Sequence, residues 1–189
     1  MTVSKRFFDI FFSAIALLAL AGVLALLALA VKMTSQGKVL YWSKRIGKDN
    51  SIFLMPKYRT MRTATPVVAT HLLANPDVYL TPIGKFLRST SLDELPQLYS
   101  ILLGHMSFVG PRPALFNQHD LIEFRTLAGV HVLTPGLTGW AQVNGRDELP
   151  IPNKVELDKL YLQRQSFFFD LQILLLTFIK VLRRDGVVH

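Results

Sequence analysis

The sequence predicts an α+β fold that is mostly helical, with one short β-hairpin and a membrane segment at its N-terminus. A charge-free apolar run at residues 10–31 indicates the membrane segment. Two short segments on either side of a turn at residues 47–50 have the composition of a hairpin. Most of the chain beyond them shows helical apolar spacing, interrupted by glycine and proline. These three observations define a small helical domain next to a membrane.

Composition limits the classes of function. The chain has 189 residues, and half of them are hydrophobic, which is enough for a folded domain with its own core. The absence of cysteine excludes disulfides, thiolate metal sites and cysteine nucleophiles. A net charge of +8 favours an anionic partner, which is nucleic acid, an acidic membrane surface or a phosphorylated substrate.

The apolar run has two topological interpretations. As one helix it would be about 33 Å long, enough to cross a bilayer core. It is long for a signal peptide and lacks a small-residue cleavage pattern before Lys32. Both flanks are basic, and basic flanks favour the cytoplasmic side, so a helix that bends and returns competes with one that spans. Gly22, near the middle, either permits a kink or packs against another helix.

The next elements follow from local signals. Residues 38–61 predict two strands around the turn, and residues 64–80 are loop-rich. A short helix is expected over residues 81–89, with Thr81 as its cap and Pro82 as its first residue. A second helix is expected from Ser91 to Gly104.

The C-terminal part predicts two further helices and a final one of ambiguous placement. Residues 114–129 show helical spacing, residues 134–146 suggest an irregular loop, and Asn153 with Glu156 indicates a helix start. In the final helix, residues 167–184, the polar side chains fall on one stripe. This helix either lies in the membrane interface or packs in the core.

Two adjacent carboxylates, Asp93 and Glu94, also have two interpretations. Ser91 and Glu94 have capping-box spacing, and acids suit a helix start. Alternatively the pair is a reaction centre, because an ionised aspartate can attack phosphorus and a glutamate beside it suits Mg²⁺. On that interpretation the helix start and neighbouring cations keep Asp93 ionised. The cations close to the pair in sequence are Lys57, Arg59, Arg62, Lys85, Arg88 and Arg112.

Other site chemistries find no support in the sequence. It contains no GxxxxGK phosphate loop and no GxGxxG fingerprint, and its histidines lack metal-ligand spacing. A basic–aromatic pattern for nucleic acid is also missing, so we expect no nucleic-acid partner. The alternatives to a phosphoryl transferase are a non-enzymatic basic module that binds the membrane surface and an enzyme with plain hydrolase chemistry.

The chain resembles a known family, the bacterial sugar transferases, and within it the small monotopic polyprenyl-phosphate phosphoglycosyl transferases of the PglC type. The resemblance covers essentially the whole chain. The segments that carry it occur in the family's order: KRFFDI (5–10), KYRTM (57–61), LRSTSLDELPQL (87–98), MSFVGPRP (106–113) and PGLTGWAQVNGR (135–146).

This resemblance implies a two-step reaction. Asp93 would attack the sugar-linked phosphate of a UDP-sugar, expel UMP and form a covalent phosphosugar, which polyprenyl (undecaprenyl) phosphate would then accept. Glu94 would help to hold Mg²⁺. Arg88 and Arg59 would bind phosphates or brace the dyad of Asp93 and Glu94. The substrate-binding residues implied are Pro111, Arg112, Pro113, Gln142, Asn144 and Arg146.

The resemblance also implies a topology. Residues 1–32 would form a re-entrant membrane helix, and residues 33–189 a catalytic domain with a membrane-associated C-terminal helix, at the cytoplasmic face of the bacterial plasma membrane. The family breaks its membrane helix at a Ser-Pro pair, whose positions Ala21 and Gly22 occupy here. Glycine permits a kink at this pair but does not force one as proline does. We include a homodimer among the expected assemblies.

Overall fold

A computed structural model describes residues 2–63, 65–66, 75–145 and 149–183. It is mostly helical with two small sheets, which confirms the α+β class. The helices are α1 (Val3–Ala19), α2 (Ala21–Thr34), α3 (Gly84–Ser89), α4 (Gln97–Leu103), α5 (His119–Leu127), α6 (Trp140–Val143), α7 (Ile151–Arg164) and α8 (Phe167–Arg183). The strands are β1 (Leu40–Ile46), β2 (Ile52–Tyr58), β3 (Ser107–Val109) and β4 (Gly136–Thr138).

The N-terminal apolar run forms two helices that meet at an angle of 63°. Among the described helices none alone has the length and composition to cross a membrane, and only α1 and α2 taken together pass that test. The break lies at Leu20, directly before the pair Ala21 and Gly22 that occupies the family's Ser-Pro positions. Leu20 still donates to the Ala16 carbonyl and accepts from Leu24, so the chain bends there without proline. Gly22 lies inside α2.

The predicted hairpin is present. Strands β1 and β2 pair antiparallel, with Leu40 opposite Tyr58 and Ile46 opposite Ile52. The tight turn between them holds Asp49 and Asn50 at positive φ, a conformation that these two residue types tolerate. The buried face of the hairpin packs against α1, α4 and β3.

The segment that carries the two carboxylates folds differently from the prediction. A 3₁₀ turn, Leu92–Glu94, precedes α4, and Ser91 has a φ of 56° and caps neither helix nor turn within the described chain. The capping-box interpretation is therefore wrong. Pro96 has no N–H to continue a helix from residue 92, which separates the turn from α4. Helix α4 ends at Gly104 as expected, with a φ of 90°.

Three other helix-related predictions also need correction. Helix α3 begins at Gly84, because the Thr81 hydroxyl donates to the Thr60 carbonyl instead of capping a helix. Helix α7 begins before Asn153, with Pro150 at its cap position. The segment expected to be an irregular loop contains β4, which pairs in parallel with β3, and α6. Most of residues 64–80 lies outside the described residues, and Pro76–Tyr79 forms a 3₁₀ turn.

Helix α8 shows features of both interpretations given for it. On one face Ile173 is fully buried and Asp170 is nearly so, because they pack into the core formed with β3 and α7. On the other face large apolar side chains are exposed. Lys5 of α1 forms an ion pair with Asp170 at 2.5 Å, which joins the two ends of the chain. Apolar residues exposed on α1, α2 and α8 include Phe7, Leu18, Leu26, Met33, Phe168, Leu175 and Phe178.

Candidate active site

The carboxylates lie where the hairpin, the 3₁₀ turn and the segment after β3 meet. Lys57, near the end of β2, places its Nζ 2.6 Å from Glu94 Oε1. Arg112, three residues beyond β3, places its Nη2 3.1 Å from the same oxygen. The turn that follows Ser91 thus holds Glu94 between two cations from separate elements.

Burial and neighbouring charges set different pKa values for the two acids. Burial raises the pKa of Asp93 to about 6, and the negative charge of Glu94 adds to this, while Lys57, Arg88 and Arg112 oppose it. The pKa of Glu94 is also raised by burial, but Lys57 and Arg112 outweigh that effect and hold it well below its usual range. Glu94 is therefore ionised throughout the neutral range, and Asp93 titrates closer to neutrality.

The pKa of Asp93 shifts in the direction opposite to the one predicted from sequence. A helix start was expected to favour the ionised carboxylate of Asp93. In the structure its side chain lies in a buried turn before the helix, where it is 7% exposed, and loss of water outweighs the cations around it. A carboxylate with a raised pKa is a more basic nucleophile, and near neutral pH most of it is still ionised.

Arg88 and Arg112 are the predicted arginines that the structure brings to the dyad. Arg88 lies in the last turn of α3, and its charge acts on Asp93. The backbone of Arg112 is fixed by Arg125, whose Nη1 donates to the Arg112 carbonyl at 2.8 Å. Arg125 in turn forms a buried ion pair with Asp158 at 2.6 Å. Pro111 and Pro113 lie beside Arg112 and restrict the same segment.

Lys57 is the important contact that the predicted site residues did not include. The sequence identified it only as one cation near the pair. The period-two alternation of a strand offered a signal, because Lys57 lies near the end of β2 and projects on the side opposite to Tyr58. A lysine at the edge of the hairpin is a natural partner for a turn that packs against it.

The hydrogen bonds of the Arg59 side chain go to Ser35 and not to the two carboxylates. That side chain is buried, and its Nη2 donates to the carbonyl and hydroxyl oxygens of Ser35, at 3.0 and 2.8 Å. Ser35 is the C-terminal cap residue of α2. The predicted role of Arg59 in binding phosphate or bracing the dyad stays a prediction.

The segment predicted to bind substrate, which contains Gln142 and Asn144, lies next to the segment of Arg112. Gly139, just before α6, packs so closely on Gly110 that an added Cβ would approach the Gly110 carbonyl oxygen to 2.1 Å. Gln142 is buried in α6, with no partner for its amide in the part of the chain described. Asn144 is exposed and donates to the Trp140 carbonyl. Arg146 lies outside the described residues.

The donor set fits a magnesium ion that arrives with a phosphorylated ligand. Over the described ranges no cluster of three or more acidic or histidine side chains could hold a metal by itself. Asp93 and Glu94 supply two carboxylates, and Glu94 is already bound to Lys57 and Arg112. Because Mg²⁺ commonly takes one or two carboxylates and completes its shell with phosphate oxygens and water, these residues suit it.

The arrangement combines a buried carboxylate with a positively charged surrounding. Three cations, Lys57, Arg88 and Arg112, act on one buried aspartate. Such a site is suited to a phosphate or diphosphate, because cations both attract the anion and stabilise charge on a departing phosphate.

The profile of the bacterial sugar transferase family matches residues 1–184. A UDP-glucose:undecaprenyl-phosphate glucose-1-phosphate transferase of Klebsiella pneumoniae is 38% identical over 187 residues, covering 94% of this chain and 40% of that protein. The protein of the same name from Escherichia coli K12 is 40% identical over 186 residues, which cover 93% of this chain and 39% of that protein.

A shorter relative matches over nearly its full length. The uncharacterized sugar transferase EpsL of Bacillus subtilis is 41% identical over 184 residues, which cover 97% of this chain and 89% of EpsL. The chain thus spans about two fifths of the glucose-1-phosphate transferases and most of EpsL.

Proposed function

Because the chain belongs to the bacterial sugar transferase family, we propose that it moves a phosphosugar from a UDP-sugar to a polyprenyl phosphate. One observation carries the proposal. Asp93 is buried among Lys57, Arg88 and Arg112, next to a Glu94 that two of these cations already bind. Only one of the two carboxylates is therefore available to react, and positive charge surrounds it.

In the first step an oxygen of the Asp93 carboxylate attacks the phosphorus that carries the sugar. The bond between that phosphorus and the bridging diphosphate oxygen breaks, and UMP leaves with the bonding electrons. An acyl phosphate that joins Asp93 to the phosphosugar results. Arg88 and Arg112 stabilise the charge that builds on the departing UMP phosphate, because cations in a site of low water content act strongly on developing charge.

In the second step an oxygen of the polyprenyl phosphate attacks the same phosphorus. The bond to the Asp93 oxygen breaks, the carboxylate is restored, and the product is a polyprenyl diphosphate that carries the sugar. Lys57 keeps Glu94 and the turn in place through both steps, since it links β2 to Glu94. When bound, Mg²⁺ would supply further positive charge to the diphosphate, with Glu94 as its ligand.

The names of the relatives suggest the substrates. The transferases of Klebsiella pneumoniae and Escherichia coli are named for UDP-glucose and undecaprenyl phosphate, which makes these the first candidates for this chain. The product would begin the assembly of a bacterial glycan on its lipid carrier. A homodimer remains among the proposed assemblies.

A lipid acceptor requires a site at a membrane surface. We place α1 and α2 in the cytoplasmic leaflet as a re-entrant pair, with both basic flanks in the cytoplasm. The bend of 63° at Leu20 and the exposed apolar side chains of α1, α2 and α8 support this placement. UDP-sugar from the cytoplasm and lipid phosphate from the leaflet would meet at the same face.

Release of UMP tests the proposal. Full-length protein in lipid vesicles is given UDP-glucose, other UDP-sugars, undecaprenyl phosphate and Mg²⁺, and UMP is measured. We expect lipid-dependent turnover that Asp93→Asn abolishes. Sugar phosphate released without lipid would indicate a hydrolase. No release across the panel from folded protein would contradict the proposal and favour a non-enzymatic membrane-surface module.

A further inference from the structure

Arg59 is a buried arginine whose hydrogen-bonding groups are only partly satisfied. It is 7% exposed, and its Nη2 donates twice to Ser35. Its Nε and Nη1 are buried and have no hydrogen-bond partner within the described residues. A buried donor on a charged group that lacks an acceptor is costly, and native proteins rarely keep one without a reason.

Capping of α2 explains only part of this geometry. A cation near the last carbonyls of a helix is favourable, and the two bonds from Nη2 to Ser35 provide that. Nε and Nη1 take no part in the cap. The planar guanidinium presents its donors as a fork, which matches two oxygens of a phosphate better than a single carbonyl.

An open cavity of about 410 Å³ lies at the same helix end. Ser35 and Gly37 belong to its lining and also contact Arg59, because Ser35 accepts from Nη2 and Gly37 packs over Nη1. A Cβ on Gly37 would lie 2.3 Å from Nη1, so only glycine allows the backbone to approach so closely. Lys32, which is exposed, adds a second positive charge to the lining.

The position of this cavity relates the membrane segment to the reaction centre. The cavity lies where α2, the second half of the apolar pair, ends. Arg59 follows Lys57 by two residues, and Lys57 binds Glu94. A phosphate at Arg59 would thus lie at the end of α2, on the chain segment that directly follows Lys57.

We infer that Arg59, with the cavity lined by residues 32–37, binds the phosphate of the polyprenyl acceptor as it enters from the membrane. This inference rests on the proposed function and assigns Arg59 to the second step alone. The acceptor phosphate displaces the backbone of Gly37 from Nη1, and Nε and Nη1 then donate to its oxygens. The UDP-sugar makes no use of Arg59.

The two half-reactions provide the test, with the full-length chain in neutral phosphatidylcholine vesicles. The first is measured as UMP released in one turnover from UDP-glucose without lipid acceptor. The second is measured as the KM for undecaprenyl phosphate. For Arg59→Gln we expect normal UMP release and a KM raised roughly ten- to a hundredfold, the loss typical of hydrogen bonds to a charged group. Arg59→Lys, which keeps the charge for the Ser35 contact, should raise the KM less.

A matched control is Arg62→Gln, which removes the same charge from an exposed residue of the same segment. We expect both half-reactions to be unchanged in this variant. Vesicles that contain phosphatidylglycerol separate a specific acceptor from ordinary anionic lipid. If Arg59→Gln weakens sedimentation with these vesicles but leaves the acceptor KM unchanged, the site binds bulk phospholipid and the inference is overturned.

Two further outcomes would overturn the inference. If Arg59→Gln and Arg59→Lys slow both half-reactions equally and lower the melting temperature, Arg59 is only a helix cap. Normal UMP release with an unchanged acceptor KM removes this inference and leaves the proposed function intact. Absence of UMP release by the wild type overturns the proposed function and the inference together.

Discussion

Lys57 Nζ lies 2.6 Å from Glu94 Oε1, and this ion pair connects the β-hairpin to the turn that carries Asp93. Both side chains are mostly buried, so the pair is less screened by water and salt than a surface pair. Because Lys57 and Arg112 both pair with Glu94, Asp93 is the carboxylate to which the proposed function assigns the reaction. In the proposed reaction the hairpin thus helps to select which acid of the dyad would act as the nucleophile.

Replacement of Lys57 tests that role. In Lys57→Met we expect UMP release to fall at least tenfold, because Glu94 loses its nearer cation and Asp93 loses a charge that favours its ionised form. The free energy of unfolding should fall by roughly 3 kcal/mol, the loss typical of a buried pair that loses one partner. Denaturant titration and initial rates measure both. Lys57→Arg, which keeps the charge, should recover part of the rate of UMP release and part of the free energy of unfolding. Wild-type rates in Lys57→Met would refute the role of Lys57.

The pKa of Asp93 predicts the pH dependence of the reaction. In the proposed reaction only the ionised carboxylate of Asp93 attacks phosphorus, and the pKa of this group is raised to about 6. We therefore expect kcat/KM to be level above about pH 7 and to fall as the pH drops through 6, approaching tenfold per pH unit. Because the charge of Lys57 lowers this pKa, the acidic limb should move to higher pH in Lys57→Met, which removes that charge. A profile that stays flat to pH 5 would show that Asp93 does not limit the reaction.

The raised pKa of Asp93 also means that its ionised form destabilises the fold. Its folded-state pKa lies above its ordinary value of 3.8, so its contribution is unfavourable. This cost is absent below about pH 4, grows between pH 4 and 6 and is complete above that range. At pH 7 we expect Asp93→Asn to raise the free energy of unfolding by roughly 2–3 kcal/mol, and at pH 4 to have little effect.

Glu94→Gln is the matched control for that measurement. Lys57 and Arg112 lower the pKa of Glu94, so its ionised form stabilises the fold and its loss should destabilise the protein at pH 7. Denaturant titrations of both variants at pH 4 and 7 provide the comparison. Equal destabilisation by the two substitutions at pH 7 would contradict the different roles assigned to the two acids.

The bend at Leu20 predicts that Gly22 is not a hinge. Gly22 lies inside α2, and no described atom lies within 4 Å of the place where its Cβ would be. Gly22→Ala should therefore keep the topology and raise stability by up to about 1 kcal/mol, the difference in helix propensity. Labelling of a cysteine placed at Thr2 reports on which side the N-terminus lies. An N-terminus that changes sides in Gly22→Ala would show that glycine is needed for the bend.

Much of the fold was accessible from sequence, because strong local signals agree with the tertiary structure. The hairpin follows from two apolar segments around a polar turn, and Gly104 ends α4 as expected. The break at Leu20 was not accessible, because helical hydrogen bonds continue on both of its sides and leucine carries no signal for a bend. The pairing of β3 with β4 depends on contacts between distant glycines, which no local pattern reveals.

The site shows the same division. The residues around the dyad were recognisable chiefly because the segments that carry them, such as LRSTSLDELPQL and MSFVGPRP, resemble those of the family. The pKa of Asp93 could not be predicted from sequence, because it depends on how far the turn is buried. The spacing of Ser91 and Glu94 matches a capping box, but Pro96 prevents the helix that would use it. The capping-box prediction was wrong for this reason.

The most direct test of the account is to trap the covalent intermediate. Full-length protein in vesicles without polyprenyl phosphate is mixed with UDP-glucose, quenched and analysed by mass spectrometry. The account predicts one hexose phosphate on the peptide that contains Asp93, formed together with one UMP, absent in Asp93→Asn and discharged when undecaprenyl phosphate is added. Lipid-dependent UMP release without any adduct at Asp93 would contradict it, because the phosphosugar would then pass directly from donor to acceptor.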